Sequence, residues 1–267
     1  MDFLFFIFFS ELNENSEDVW VIQNLRNEAE KPEVFMLPGK QKIETLNGRE
    51  LLGDYKCQEG ALPGGRAGHQ VFKVSDTDIA LIGGHNLATE SSESPFKTFC
   101  HPKENLHLFD SVSYQWSIVD LTEENQNCLS RSNFSACINK NDIYITGGVR
   151  KNYESSKIEN ISVFEVLKLK IIHEDEVAIG LLTKIQIFAS IERLKLSSSA
   201  MTYRNGKLYL YGGNTGQIST EYKCYKMNGD LIEIDLEENT ALMKSPPDFL
   251  KGRFNHFFSI QFYCLLF

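Results

Sequence analysis

No two cysteines in this sequence are spaced as CxxC. Cys57, Cys100, Cys128, Cys137, Cys224 and Cys264 are scattered along the 267 residues, which argues against a structural zinc module and against a redox dithiol. No metal and no cofactor are expected. Long apolar runs are missing as well. Phe3 to Phe9 is a run of seven apolar residues, far short of the roughly 20 that a membrane-spanning helix needs. No basic residue precedes it, no small-x-small cleavage site follows it, and acidic residues come next. It reads as a buried strand rather than a signal segment, and no membrane partner is expected. The triplets NFS at Asn133 and NIS at Asn160 would be glycosylation acceptors only in a secreted chain.

An excess of basic residues is also lacking. The net charge is -9 and the isoelectric point is near 5.3, a poor fit to a surface that wraps phosphate backbone with clustered Lys and Arg. Contact with DNA is therefore expected to be indirect or weak. Catalytic signatures are absent too: there is no GxSxG and no HExxH. The Gly-rich LPGGRAGH, Leu62 to His69, lacks the GK[ST] of a phosphate-binding loop and leads into a strand where such a loop leads into a helix. His69 then reads as a structural hydrogen-bonding residue. CHPKENLH, with Cys100, His101 and His107, reads as loop, and HEDE at His173 to Glu176 as a solvated turn. No catalytic residue is assigned, and the chain is expected not to be an enzyme.

What the sequence does have is a recurrent glycine pair. DIALIGG, DIYITGG and KLYLYGG end on Gly83-Gly84, Gly147-Gly148 and Gly212-Gly213, at intervals of 64 and 65 residues. The β-branched and aromatic residues before each pair suit a pleated, half-buried strand, and two glycines let the chain leave the sheet through a turn that side chains would block. A fixed interval points to repeated supersecondary units. Each unit opens with a first strand beginning at Arg66, Arg131 or Leu196, and a turn (SDTD, KND or NGK) follows it. Beyond the glycine pair comes a polar loop, the first running from His85 to Glu104. Third strands are then expected at Asn105–Asp110, Asn160–Val166 and Gly229–Leu236, and fourth strands at Gln115–Leu121 and Thr240–Ser245. In the second unit, LKLKIIHEDE and VAIGLLTKIQIFASI have no assigned place. No segment has a convincing helical interlude.

Four antiparallel strands per unit describe blades of an all-β, β-propeller fold. The double glycines, Trp116 after the third strand, and Arg66 and Arg131 before the first resemble the kelch family over about Arg66 to Ile260. The expected fold is an incomplete kelch-type propeller with three recognisable four-stranded blades and two partial ones. A partial blade and connection occupy residues 1–60, blades occupy 61–125, 126–195 and 196–250, and a further blade starts in 251–267. Ser16–Asn24 reads as a third strand, with Ser10 where a glycine would stand, and Arg253–Gln261 reads as a first strand. The chain is thus expected to be part of a longer propeller.

Within the kelch proteins, NENSEDVWVI, ELLGD, GRAGHQV, LSRSNFSACINKNDIYITGG, SSSAMT before YLYGG, and LIEIDLEENTALMKSPPDF recur in an order similar to the propeller of the V(D)J recombination-activating protein 2 family. The zinc-binding PHD finger of vertebrate members does not occur within these residues, and the interval between the second and third glycine pairs is longer. The resemblance implies a non-enzymatic, nuclear accessory subunit that binds the catalytic subunit of a DDE-type recombinase or transposase. The alternative is a generic kelch adaptor, nuclear or cytoplasmic, such as a ubiquitin-ligase substrate receptor or a cytoskeletal binder. A kelch-type oxidase would need clustered Tyr, His and Cys copper ligands, which the sequence does not display. Loops beside the glycine pairs are where a partner would touch, so Arg66, His85, Asn86, Arg150 and Lys151 are the candidate contact residues.

Overall fold

The strand Asp142–Thr146, which leads into Gly147-Gly148, is buried on both faces. Ile143, Ile145 and Thr146 are wholly inaccessible, and Tyr144 is nearly so. A short apolar run of this kind is what a central strand requires, because water reaches neither side. The Thr146 hydroxyl is satisfied internally, donating to the carbonyl of Val163 at 2.7 Å. These positions come from a computed structural model, which describes residues 10–11, 14–15, 19–23, 33–37, 63, 66–86, 98–99, 105–151, 158–175, 177–189, 194–218 and 225–245. The chain divides into two units, Met1–Ile118 and Val119–Phe267.

The first unit contains one four-stranded antiparallel sheet in chain order: Gln70–Lys73, Asp78–Ile82, Leu106–Asp110 and Gln115–Ile118. Trp116 is buried against Phe109, ring centroids 5.0 Å apart. Two-stranded ribbons join Ser10–Glu11 to Glu14–Asn15, Val19–Gln23 to Glu33–Leu37, and His85–Asn86 to Thr98–Phe99. The strand expected at Ser16–Asn24 is therefore present as Val19–Gln23. The expected strand at Phe3–Phe9 and the further blade start at Arg253–Gln261 lie outside the described residues, as do most of the loop from His85 to Glu104, Cys100 and His101.

The second unit holds two such sheets, again in chain order. Ser135–Asn139, Asp142–Thr146, Glu165–Glu174 and Val177–Gln186 form one; Ala200–Arg204, Lys207–Tyr211, Leu231–Asp235 and Thr240–Lys244 form the other. They share a core of Tyr144, Phe164, Val166, Leu196, Met201, Leu208, Leu210, Ile232 and Ile234. Each large aliphatic side chain so buried stabilises the fold by about 1.5–3 kcal/mol. Tyr144 and Tyr203 stack across the two sheets, 5.6 Å apart and 9° from parallel.

The second sheet corrects two expectations. Its third strand is Glu165–Glu174, not Asn160–Val166, and the unassigned stretch that follows supplies the fourth strand, Val177–Gln186. The reason lies in the register. Asp110, Lys170 and Asp235 occupy the same place, opposite the first residue of the central strand. Asp110 accepts the backbone N–H of Val112 at 2.8 Å, and Asp235 accepts those of Glu237 and Glu238 at 3.0 and 3.1 Å. Such aspartates end a strand by drawing the next amides into a turn. Lys170 has no acceptor to offer, so the hairpin runs on to Glu174 and turns at Asp175, φ 46°. A short helix α1, Glu123–Leu129, also departs from the all-strand expectation. Thr122 caps it by accepting the N–H of Asn125, and Glu123 and Glu124 stand in its first turn, where the helix dipole favours them.

Candidate functional site

The three glycine pairs sit in one recurring arrangement. Two residues after Arg66, Arg131 and Leu196, which open the approach to each first strand, stand Gly68, Asn133 and Ser198, with φ of 69°, 53° and 58°. Ala67, Ser132 and Ser197 form isolated bridges to His85, Val149 and Asn214, the residues directly after the pairs. The crossing is tight at the second pair. A β-carbon on Gly148, φ +86°, would stand 2.7 Å from the Ser132 carbonyl oxygen and 2.8 Å from the Phe134 α-carbon. Gly148 also donates its N–H to the carbonyl of Leu196 at 2.8 Å, tying the second sheet to the approach of the third.

Arg66 and Arg131 belong to this scaffold. Arg66 donates from Nη1 to the Gly83 carbonyl at 3.1 Å. Arg131, fully buried, donates from Nη1 to the Gly147 carbonyl at 3.3 Å, from Nε to the Cys128 carbonyl at 2.8 Å, and from Nη2 to Glu165 Oε1 at 3.0 Å. Burial works against its charged form, and the Glu165 carboxylate offsets that. Arg66 was expected among the contact residues and is instead buried. His85 is likewise buried, exchanging backbone hydrogen bonds with Ala67. Both residues are buried among the described residues. Asn86 and Lys151 extend short strands beyond their glycine pairs.

Arg150 is the expected contact residue that the structure places at a cavity. A cleft of about 460 Å³ in the second unit is lined by the polar side chains of Arg150, Glu159, Asn160, Glu165, Gln186 and Lys195, with Ile161, Phe164, Ile187 and Ala189 supplying apolar wall. The ribbon of Val149–Lys151 and Ile158–Asn160 carries Arg150, with Glu159 across from it. Lys195 is placed by a backbone bridge to Ser162. Glu165, Gln186 and Lys195 carried no signal in the sequence, since they come from two strand ends and one connection and match no motif. Among the described residues no group of three or more His, Cys, Asp or Glu is arranged to hold a metal ion, and no helix is long and apolar enough to cross a membrane.

In the first unit, His107 is fully buried with no hydrogen-bond partner at either ring nitrogen among the described residues. It meets the edge of Trp116 at 6.2 Å. Burial, and after it the Arg66 charge, lower its pKa from 6.5 to about 3; the same causes take His69 to about 4, with a hydrogen bond to the Arg66 backbone acting the other way. Both are neutral structural groups at physiological pH.

No family profile matches the sequence. No curated protein sequence matches it either. The structure is similar to a chain in the cryo-EM structure of RAG in complex with one melted and one unmelted RSS, with a TM-score of 0.53 at 14% identity over 88% of this chain and 58% of that one. It is also similar to YjhT, with a TM-score of 0.50 at 10% identity over 88% of this chain and 61% of that one. The likeness is to β-propeller folds. At such identities it concerns the fold alone, and this chain spans about three-fifths of the length of each. The three four-stranded sheets among the described residues are consistent with propeller-like blades.

Proposed function

We propose that this chain is part of a non-enzymatic, kelch-type propeller that serves as the nuclear accessory subunit of a V(D)J-type recombinase or transposase, binding its DDE-type catalytic subunit. The observation that carries the proposal is the likeness in sequence, with which the propeller-like fold is compatible. The fragments from NENSEDVWVI to LIEIDLEENTALMKSPPDF resemble that family in sequence, and the fold resembles a chain of the RAG complex. The net charge of -9 favours a protein partner over direct grip on DNA. Co-expression with a DDE-type catalytic subunit from the same genome tests it. The expected result is a complex that co-purifies on size exclusion and cleaves DNA better than the catalytic subunit alone. A catalytic subunit that elutes separately and gains no activity overturns the proposal.

The comparable likeness to YjhT supports a second reading, a propeller adaptor unconnected with recombination. Retention by a ubiquitin-ligase scaffold or by actin, with no binding to the recombinase, would favour it.

A further inference from the structure

The outer strands of the two sheets in the second unit are covered in the same way. Val177–Gln186 and Thr240–Lys244 each stand last in their sheet, so among the described residues no fifth strand meets their outward amides and carbonyls. Asp120 takes part of that place on the first, donating its N–H to the Ala178 carbonyl at 2.8 Å and accepting the Gly180 N–H at 2.9 Å. Phe188 does the same on the second, donating to the Asn239 carbonyl at 2.7 Å and accepting the Ala241 N–H at 3.3 Å. Both are one-residue parallel bridges. Each bridging residue comes two positions after the strand before it has ended, at Ile118 and at Gln186.

Side-chain chemistry does not account for the recurrence, since one residue is an exposed aspartate and the other a phenylalanine that is 71% exposed. What recurs is the main chain and its setting. Val119 and Leu121 are buried on either side of Asp120, and Ile187 is buried before Phe188. Burying the neighbours holds the middle residue extended, with its N–H and C=O turned together onto the adjacent edge.

The covered edges carry exposed apolar side chains. Val177 and Leu181 flank the first bridge at 50% and 49% exposure, and Leu242 stands beside the second at 58%. An open strand edge of that kind is a template for another strand, and every copy of the chain presents the same one. We infer that these two connections are straps, which close the outer edges of the sheets they lead into against pairing with a second copy of this chain. One residue is enough because edge-to-edge pairing needs consecutive outward groups, and the strap takes two of them from the run. The inference is independent of the partner proposed above.

Hydrogen exchange on the full chain, corrected for intrinsic rates, is the first test. The Gly180 and Ala241 amides should exchange about tenfold or more slowly than those of Leu182 and Met243, which point the same way along the same edges without a strap carbonyl to meet them. Proline removes the N–H that a strap donates. In sedimentation velocity over a concentration series, Asp120→Pro and Phe188→Pro should associate at about tenfold lower protein concentration than the parent, and Asp120→Ala and Phe188→Ala within about twofold of it. Adding Leu242→Lys to Phe188→Pro should restore the parent's behaviour, because a lysine on an exposed edge opposes pairing without rebuilding the strap. Equal exchange of the four amides, proline variants no more associated than the alanine ones, or association that Leu242→Lys leaves unchanged, as unfolding would, each overturns the inference.

Discussion

The α-carbon of Gly147 faces the carbonyl oxygen of Leu196 so closely that a β-carbon added to it would lie 2.6 Å away. One residue on, Gly148 is closed in by the Ser132 carbonyl and by Phe134. Both glycines lie in the left-handed region, at φ of 63° and 86°. Contacts with backbone atoms cannot be relieved by a rotamer change. Gly148→Val is expected to destabilise the second unit by about 3 kcal/mol or more, through strain and overpacking together. Gly206→Asn is the control. It sits at φ +78° with nothing within 4 Å of a new β-carbon, in an Asn-Gly hairpin turn where Asn is tolerated, and should cost about 1 kcal/mol at most. Urea unfolding of the two variants checks this; a Gly148→Val protein as stable as its parent would remove the close-crossing explanation.

Arg131→Leu should be among the most damaging substitutions in the chain. It strips the Gly147 and Cys128 carbonyls of their donor and leaves Glu165 uncompensated. The two carbonyls left without a donor cost about 1–3 kcal/mol each, while the leftover Glu165 carboxylate, 36% exposed, is partly screened by water. The third glycine-pair repeat shows the apolar alternative, because Leu196 occupies the equivalent approach position fully buried. Arg131→Leu combined with Glu165→Gln should therefore cost less than the sum of the two single changes. Strict additivity in chemical denaturation would count against a coupled pair.

His107 stands in the register position that Leu167 and Ile232 fill in the other two sheets. His107→Leu is expected to stabilise the first unit at neutral pH by removing a buried imidazole with no hydrogen-bond partner, a gain of about 1 kcal/mol or more. The pH dependence follows from the direction of the shifts. His69 and His107 have folded-state pKa values near 4 and 3, below the ordinary 6.5, so the unfolded chain takes up protons first. Their contribution to stability is full above about 6.5 and is lost as pH falls through the folded values. Melting temperatures recorded from pH 7 to 3 should fall less steeply for His107→Leu, and an unchanged slope would be the contrary result.

The stacked pair Tyr144 and Tyr203 is expected to couple the two sheets of the second unit by about 0.5–1.5 kcal/mol beyond the area it buries. A double-mutant cycle with Leu at each position measures this. A coupling energy indistinguishable from zero would make the stack a packing coincidence.

The blades were legible in the sequence because the central strands are short, apolar and punctuated by glycine pairs, and the Asn205-Gly206 hairpin was legible for the same chemical reason. The extended hairpin of the second sheet was not. One residue, Lys170 in place of an aspartate, withheld the turn that would have marked the end of a strand, and hydrophobicity alone does not locate a register. Helix α1 escaped notice because seven residues are too few to show a helical period. Arg66 and Arg131 stood out as a repeated residue type, but their direction did not: a guanidinium turned inward to a glycine carbonyl and one turned outward to a partner look the same in one dimension. The cleft was hidden for a related reason. Arg150, Glu165, Gln186 and Lys195 meet only after two hairpins have formed, and none of them belongs to a motif.

The hydrogen bond from Gly148 to Leu196 also sets an order of events on the ribosome. The turn that finishes the second sheet takes its acceptor from chain that is synthesised later. While the polypeptide emerges N-terminal end first, Gly148 must leave its amide to water, and the second blade waits half-closed. Translation thus completes this turn retroactively, with the approach of the third sheet acting as the latch on the second.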